Sequence, residues 1–301
     1  MTRKVSVAAI QMPSGSWNFE ENKDRAERLI RQAAASGANI VLCPELFMTP
    51  YFCNEQDYRH LSLAMAFEGN PDIARFAALA KELSVVIPIG FYERAGNAAF
   101  NSVAIADADG TVLGVYRKTH IPDGPGYCEK MYFTPGDTGF KVWDTKFGRI
   151  GVGICWDQWY PETARSMTLM GAELLFFPTI IGSEPHDSSM DTAPQWQRTM
   201  QGHAAANMLP VIAANRIGTE KAVRADGSIG VISNFYGSSF IADETGAKVQ
   251  EANRVDETVL IHQFELDAIR DMRQSFGFFR DRRPEMYRTL RTSDGNGSCY
   301  R

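Results

Sequence analysis

The run Arg149-Ile150-Gly151-Val152-Gly153-Ile154-Cys155-Trp156-Asp157 constrains this chain more than any other segment. In an extended strand successive side chains point to opposite faces, so Ile150, Val152 and Ile154 share one apolar face while the other carries only glycine. A face without Cβ atoms lets a neighbouring backbone approach closely. Cys155 continues that face by parity and stands where the strand must turn toward a helix opened by Pro161. A side chain at such a turn is held rigidly and exposed. A cysteine there reads as a small buried hydrophobe or as a nucleophile, and the choice depends on the partners the rest of the chain supplies.

Around this strand the pattern alternates. Val5 to Ile10 reads as a strand, and residues 22 to 36 as a helix with Ala26, Leu29, Ile30 and Ala33 on one face, Asn22 available as its cap and Gly37 past its end. Strand Asn39 to Cys43 follows, then a helix opened by Asn70-Pro71 with Ile73, Phe76, Ala77 and Ala80 aligned, then the β-rich run Val85 to Tyr92. Asn101 to Ala106 and Thr111 to Arg117 join through Asp109-Gly110, a hairpin signal, and Phe140 to Trp143 pairs with Arg149 to Ile154. Beyond lie a helix from Pro161 to Gly171, strand Glu173 to Phe177, a helix from Pro194 to Met208 and strand Val211 to Asn215. Strands Ser238 to Ala242 and Thr258 to Phe264 enclose the turn Glu244-Thr245-Gly246. These units predict an α/β protein of packed sheet and helix layers, with the strand order left open. No repeat, low-complexity tract or linker divides the sequence, which predicts one domain over residues 1–295 and a frayed tail over 296–301.

A net charge of -5 without a Lys/Arg run argues against nucleic acid as a partner, while mild acidity tolerates a cationic substrate. The apolar stretches near Val5 and Leu174 are too short to cross a bilayer, which takes roughly 20 helical residues, and the first reaches polar Gln11 too soon for a signal peptide. Cysteines at 43, 53, 128, 155 and 299 form no CxxC pair, an odd count that favours a reducing cytoplasm over a disulfide framework. Histidines at 60, 120, 186, 203 and 262 show no metal-ligand spacing, so no metal is expected.

A catalytic thiol needs a proton acceptor and donors for the oxyanion that forms on an attacked carbonyl. Glu45, in Cys43-Pro44-Glu45-Leu46-Phe47, is a carboxylate in apolar company, where desolvation makes a better base. Lys118, in Tyr116-Arg117-Lys118-Thr119-His120, ends a strand and offers a fixed positive charge. Taken alone, each reads first as a solvated or salt-bridged surface residue. Cys43 and Cys53 read as buried hydrophobes. His203 offers a cysteine–histidine pairing, but on a helix it lies with Trp196, Met200 and Asn207 and reads as structural. The cluster Arg280-Asp281-Arg282-Arg283 is too short for a nucleic-acid patch and suits internal pairing or subunit contacts.

Three signatures, Pro44-Glu45-Leu46, Arg117-Lys118-Thr119-His120 and Gly153-Ile154-Cys155-Trp156-Asp157, occur in the order in which the nitrilase superfamily carries them, and the chain resembles that superfamily. The resemblance implies a Glu-Lys-Cys triad with Glu45 as general base, Lys118 as transition-state stabiliser and Cys155 as nucleophile. It implies that Glu129 supports catalysis near Lys118, and that the lysine and the N–H of Trp156 form the oxyanion pocket. It further implies a four-layer α-β-β-α sandwich assembled into homo-oligomers, without cofactor or metal. From Val5 to Gly295 the chain looks like the N-carbamoylputrescine amidase branch, through segments such as His120-Ile121-Pro122-Asp123-Gly124-Pro125-Gly126-Tyr127 and Ile181-Gly182-Ser183-Glu184-Pro185. Cys128, where that branch commonly has glutamine, and Phe276-Gly277-Phe278 depart from it.

The implied substrate is a small cationic ureido compound, with Trp156, Glu184 and Tyr51 as candidate substrate-binding residues. Glu184 follows the strand ending near Phe177 and reads either as the partner of a distal ammonium or as a solvated loop carboxylate. A carbamoyl amino acid or aliphatic amide is the alternative substrate, and a catalytically silent oligomeric scaffold the alternative of another class.

Overall fold

The computed structural model describes residues 3–187 and 189–296. The chain begins with β1 (Lys4–Gln11), α1 (Phe19–Ala35), β2 (Ile40–Leu42), α2 (Pro71–Leu83), β3 (Ile87–Ala95), β4 (Ala98–Ala106), β5 (Val112–Arg117) and β6 (Val142–Thr145). It continues through β7 (Gly148–Val152), α3 (Pro161–Leu169), β8 (Leu174–Thr179), α4 (Ala193–Asn207), β9 (Val211–Asn215), β10 (Ile217–Val223) and β11 (Ile229–Tyr236). Last come β12 (Phe240–Ala242), β13 (Lys248–Glu251), β14 (Thr258–Glu265) and α5 (Leu266–Phe276).

Two extended sheets stack face to face. The first runs β14-β1-β2 and continues into β3-β4-β5 through Val41 N–H to the Val86 carbonyl and Val86 N–H to the Asn39 carbonyl. The second runs β13-β12-β9-β8-β7-β6. Val7, Leu42 and Val103 of one sheet meet Val152, Phe176 and Ile212 of the other in a buried core. On the outer faces, Leu29, Ile30 and Phe76 of α1 and α2 cover the first sheet, while Met167, Trp196 and Met200 of α3 and α4 cover the second. Each sheet thus buries both faces, which is the expected four-layer α-β-β-α sandwich.

The glycine face of β7 is filled, but by side chains rather than by a backbone. A Cβ on Gly151 would lie 2.8 Å from Leu175 Cδ2 and 2.9 Å from Met167 Sδ, and one on Gly153 would lie 2.7 Å from Phe177 Cε1. Glycine there lets α3 and β8 pack tightly against the strand that leads to Cys155.

The order β1-α1-β2-α2-β3-β4-β5 recurs as β7-α3-β8-α4-β9-β12-β13, with the same succession of parallel and antiparallel neighbours. The sequence carries no repeat because burial, not residue identity, is what the two halves share. The β10–β11 hairpin has no counterpart in the first half.

Several boundaries differ from expectation. Helix α1 starts three residues earlier than Asn22, which is buried inside the helix and donates to the carbonyls of Ser16 and Met48. Asn70 does cap α2, accepting from the N–H groups of Asp72 and Ile73. The turn near Thr245 closes onto β13, and β14 crosses back to the first sheet. From Gly297 the expected tail, with Cys299, lies outside the described residues.

Candidate active site

Glu45 follows β2, Lys118 follows β5, Cys155 follows β7 and Ile180 follows β8, so strand ends of both sheets converge on one end of the sandwich. Glu129 opens a short 3₁₀ turn, Glu129–Met131, between β5 and β6. In open α/β sheets the carboxyl ends of strands are where loops assemble sites.

Cys155 has φ +43°, in the left-handed region that a residue with a Cβ adopts at a cost of order 1–3 kcal/mol. It begins the 3₁₀ turn Cys155–Trp159, whose anchor is Gln158. The Gln158 Oε1 accepts from Trp196 Nε1 (2.7 Å) and Thr179 Oγ1 (3.1 Å), and its backbone carbonyl lies 2.7 Å from His203 Nε2. His203 is therefore a structural support, from α4, of the turn that Cys155 begins. The Cys155 thiol donates to the Ile180 carbonyl at 3.4 Å.

Glu45, Lys118 and Glu129 form a buried chain of charge. Lys118 Nζ lies 2.8 Å from Glu45 Oε1 and 2.7 Å from Glu129 Oε2, and Asn101 Nδ2 donates to Glu45 Oε1 at 2.6 Å. The second Glu45 oxygen, Oε2, has no hydrogen-bond partner among the described residues, which leaves one buried acceptor free to take a proton. The turn after Glu45 is strained at Leu46 (φ +44°) and held by the buried Arg216, which donates to the carbonyls of Leu46 and Thr49 at 3.0 Å each. Glu220, paired with Arg216 at 2.7 Å, accepts from the Tyr51 N–H at 2.6 Å.

Burial disfavours charge on Lys118, yet the adjacent Glu129 and Glu45 carboxylates outweigh it and hold the ammonium above its ordinary pKa. Burial raises the Cys155 thiol, the Glu45 carboxylate raises it further, and Lys118 opposes both. These influences together hold Cys155 in its protonated thiol form. Burial also raises Glu129, against the pull of Lys118.

A cleft of about 560 Å³ opens over this cluster, with Cys155, Glu129, Tyr127, Trp156 and Glu184 in its walls. Trp156 is partly exposed there, and the Glu184 carboxyl is raised by partial burial. Tyr51 is buried and does not line this cleft, and its hydroxyl donates to Glu129 Oε1 at 3.1 Å. That hydrogen bond orients the Glu129 carboxylate. The Tyr127 hydroxyl fixes the Glu184 loop, donating to the Ser183 carbonyl and accepting from the Gly182 N–H, each at 3.2 Å. Asn101, Arg216 and Glu220 were not anticipated, since nothing local in a strand or a polar hairpin marks a residue that reaches across to another loop. Among the described residues no group of three His, Cys, Asp or Glu side chains is placed to hold a metal ion.

A thiol on a strained turn, a free buried carboxylate oxygen and a lysine locked between two glutamates are the parts that a cysteine hydrolase of carbonyl compounds requires. The chain belongs to the carbon-nitrogen hydrolase family, whose model matches residues 6–274. It is 57% identical over 98% of its length to N-carbamoylputrescine amidase of Oryza sativa, covering 97% of that protein. It is 50% identical to citrullinase of Francisella tularensis, over 94% of this chain and 96% of that one. Among solved structures, the carbon-nitrogen hydrolase of Helicobacter pylori superposes with a TM-score of 0.88 at 37% identity, covering 96% of this chain and 99% of its own.

Proposed function

We propose that this protein hydrolyses N-carbamoylputrescine to putrescine, carbon dioxide and ammonia. Glu45 takes the Cys155 proton as the sulfur attacks the ureido carbon, and Lys118 with the Trp156 N–H stabilises the oxyanion. Collapse expels the terminal nitrogen, protonated by Glu45, as ammonia, leaving a carbamoyl thioester on Cys155. Water activated by the same carboxylate then releases the thiol and a carbamic acid, which decomposes to the amine and carbon dioxide. Glu129, held by Tyr51 and Lys118, keeps the ammonium in place through both halves. A urea-like carbonyl is resonance-stabilised and a poor electrophile, which is why both a sulfur nucleophile and a preorganised pocket are needed.

The observation that carries the substrate class is the cleft's charge. Its described walls contain Asp123, Glu129 and Glu184 but no lysine or arginine, and His186 there lies 4.0 Å from Glu184. A distal ammonium finds a partner there, with Glu184 the foremost, whereas a carboxylate does not. The resemblance to a citrullinase favours a second reading, a ureido amino acid, whose ammonium would fit and whose carboxylate would lack a cation.

Ammonia release from N-carbamoylputrescine, citrulline, N-carbamoyl-β-alanine and propylurea separates these readings. The highest kcat/KM is expected on the first. Glu184→Gln should lower it by about tenfold or more while leaving propylurea nearly unchanged, since only the former loses a charge-assisted contact. A preference for citrulline, or equal losses on both compounds, would sink the respective assignment. Cys155→Ala should abolish turnover with the fold intact. Exposed Leu169, Phe278 and Leu290 line one shallow cleft on the outer face, which supports assembly into a homo-oligomer.

A further inference from the structure

The site takes Glu45 and Lys118 from the first sheet and Cys155 from the second, so its geometry depends on how the two sheets register at this end. One carboxylate crosses between them. Asp157 is fully buried, and each of its oxygens accepts two hydrogen bonds. Oδ2 accepts from the Ile154 N–H (2.9 Å) and the Tyr116 hydroxyl (2.8 Å). Oδ1 accepts from the His120 N–H (3.0 Å) and lies 2.7 Å from His120 Nδ1. Because a carboxylate only accepts, that contact places the proton on Nδ1.

The donors are not scattered. Tyr116 and His120 flank Lys118 at the end of β5, and Ile154 precedes Cys155 at the end of β7. The Tyr116 hydroxyl also lies 2.9 Å from Thr119 Oγ1 and accepts from the Thr119 N–H at 3.3 Å. The His120 ring lies flat on Tyr160, which closes the nucleophile's turn, at 3.7 Å between centroids and 7° between planes. Asp157 therefore grips the backbone just before the left-handed Cys155 with one oxygen and both sides of Lys118 with the pair. Asparagine has the same shape but turns one acceptor into a donor, which would face a donor here.

We propose that Asp157, acting through Tyr116 and His120, is the positioning residue that sets the Cys155 thiol against the Lys118 ammonium. It touches neither substrate nor reacting atoms. The inference rests on the assignment of Cys155 and Lys118 given above, and it adds a cross-sheet clamp to that assignment. A misplacement of about 1 Å at reacting groups lowers rate by roughly 10²-fold, which sets the scale of the effect.

The test is Asp157→Asn, read by kcat and KM and by the pH profile of iodoacetamide alkylation at Cys155. The expected result is a kcat lower by about 10²-fold, a KM changed by less than about threefold, and a displaced alkylation profile. In a Lys118→Ala background the same substitution should leave the alkylation profile where Lys118→Ala alone puts it, because the relation being set is already gone. A lower Tm with kcat and profile unchanged, or equal displacement in both backgrounds, would overturn the proposal in favour of a merely structural carboxylate. If Asp157→Asn does not fold, Tyr116→Phe deletes a single hydroxyl of the same clamp and carries the same measurements. Alkylation does not depend on which ureido compound is the substrate, so a failed substrate panel leaves this test standing. Iodoacetamide labelling that spares Cys155 would overturn the nucleophile assignment and the clamp with it.

Discussion

At the scale of single residues, Lys118 and Glu45 act on the thiol with opposite signs. Lys118 lowers the Cys155 pKa and Glu45 raises it. Lys118→Ala should therefore slow alkylation of Cys155 at a given pH, whereas Glu45→Gln should speed it by enlarging the thiolate fraction. Both substitutions should nevertheless depress turnover by roughly 10²–10³-fold, the first by removing an oxyanion donor and the second by removing the base. Parallel rate measurements check this: alkylation moving the same way in both variants would break the division of labour. Glu45, Lys118 and Cys155 each sit in a short motif at a strand end, which is why the sequence singles them out as candidates. That Tyr51 packs behind the cleft and donates to Glu129 is not written in any local pattern. Arg216 was illegible: only the folded chain shows that an arginine between β9 and β10 spans to the carbonyls of Leu46 and Thr49.

At the scale of elements, the glycine-faced strand makes a prediction with a built-in contrast. Gly153→Ala puts a methyl 2.7 Å from the Phe177 ring and 3.1 Å from Thr163 Cγ2, an overpacking of the kind that costs about 1–3 kcal/mol. Gly202→Ala, inside α4, meets nothing within 4 Å and should stabilise by up to about 1 kcal/mol through helix propensity. Thermal denaturation should show opposite shifts in Tm, with turnover falling only in the first, where Phe177 pushes on the turn that carries Cys155. Regular elements with clean periodicity, such as α2 with its Asn70 cap and β9, were readable from sequence. The β10–β11 hairpin was not, because its strands are buried irregularly and present no alternation to read. Asn22 misled for a related reason, a good capping residue used instead as an internal hydrogen-bond donor.

At the scale of the molecule, periodicity predicted layers, and the four-layer arrangement itself came from resemblance, because strand order is written in long-range pairing that no local pattern records. That pairing is most extended between β1 and β14, from Lys4 opposite Glu265 to Gln11 opposite Thr258. Ending the chain at residue 257 should leave β1 with a bare edge beside an uncovered core, so we expect insoluble product or loss of the cooperative unfolding transition. A truncation that still melts cooperatively at the wild-type Tm would contradict this. The same pairing bears on how the chain is made. During synthesis at ~5–20 residues per second, β1 emerges first and waits on the order of 10–50 s for the strand that completes its sheet. For that interval a run of apolar side chains with open N–H and C=O groups is available to any other extended segment, including the β1 of a neighbouring nascent chain. Recovery of folded protein should therefore fall as expression becomes faster or hotter, even though the finished molecule hides that edge completely.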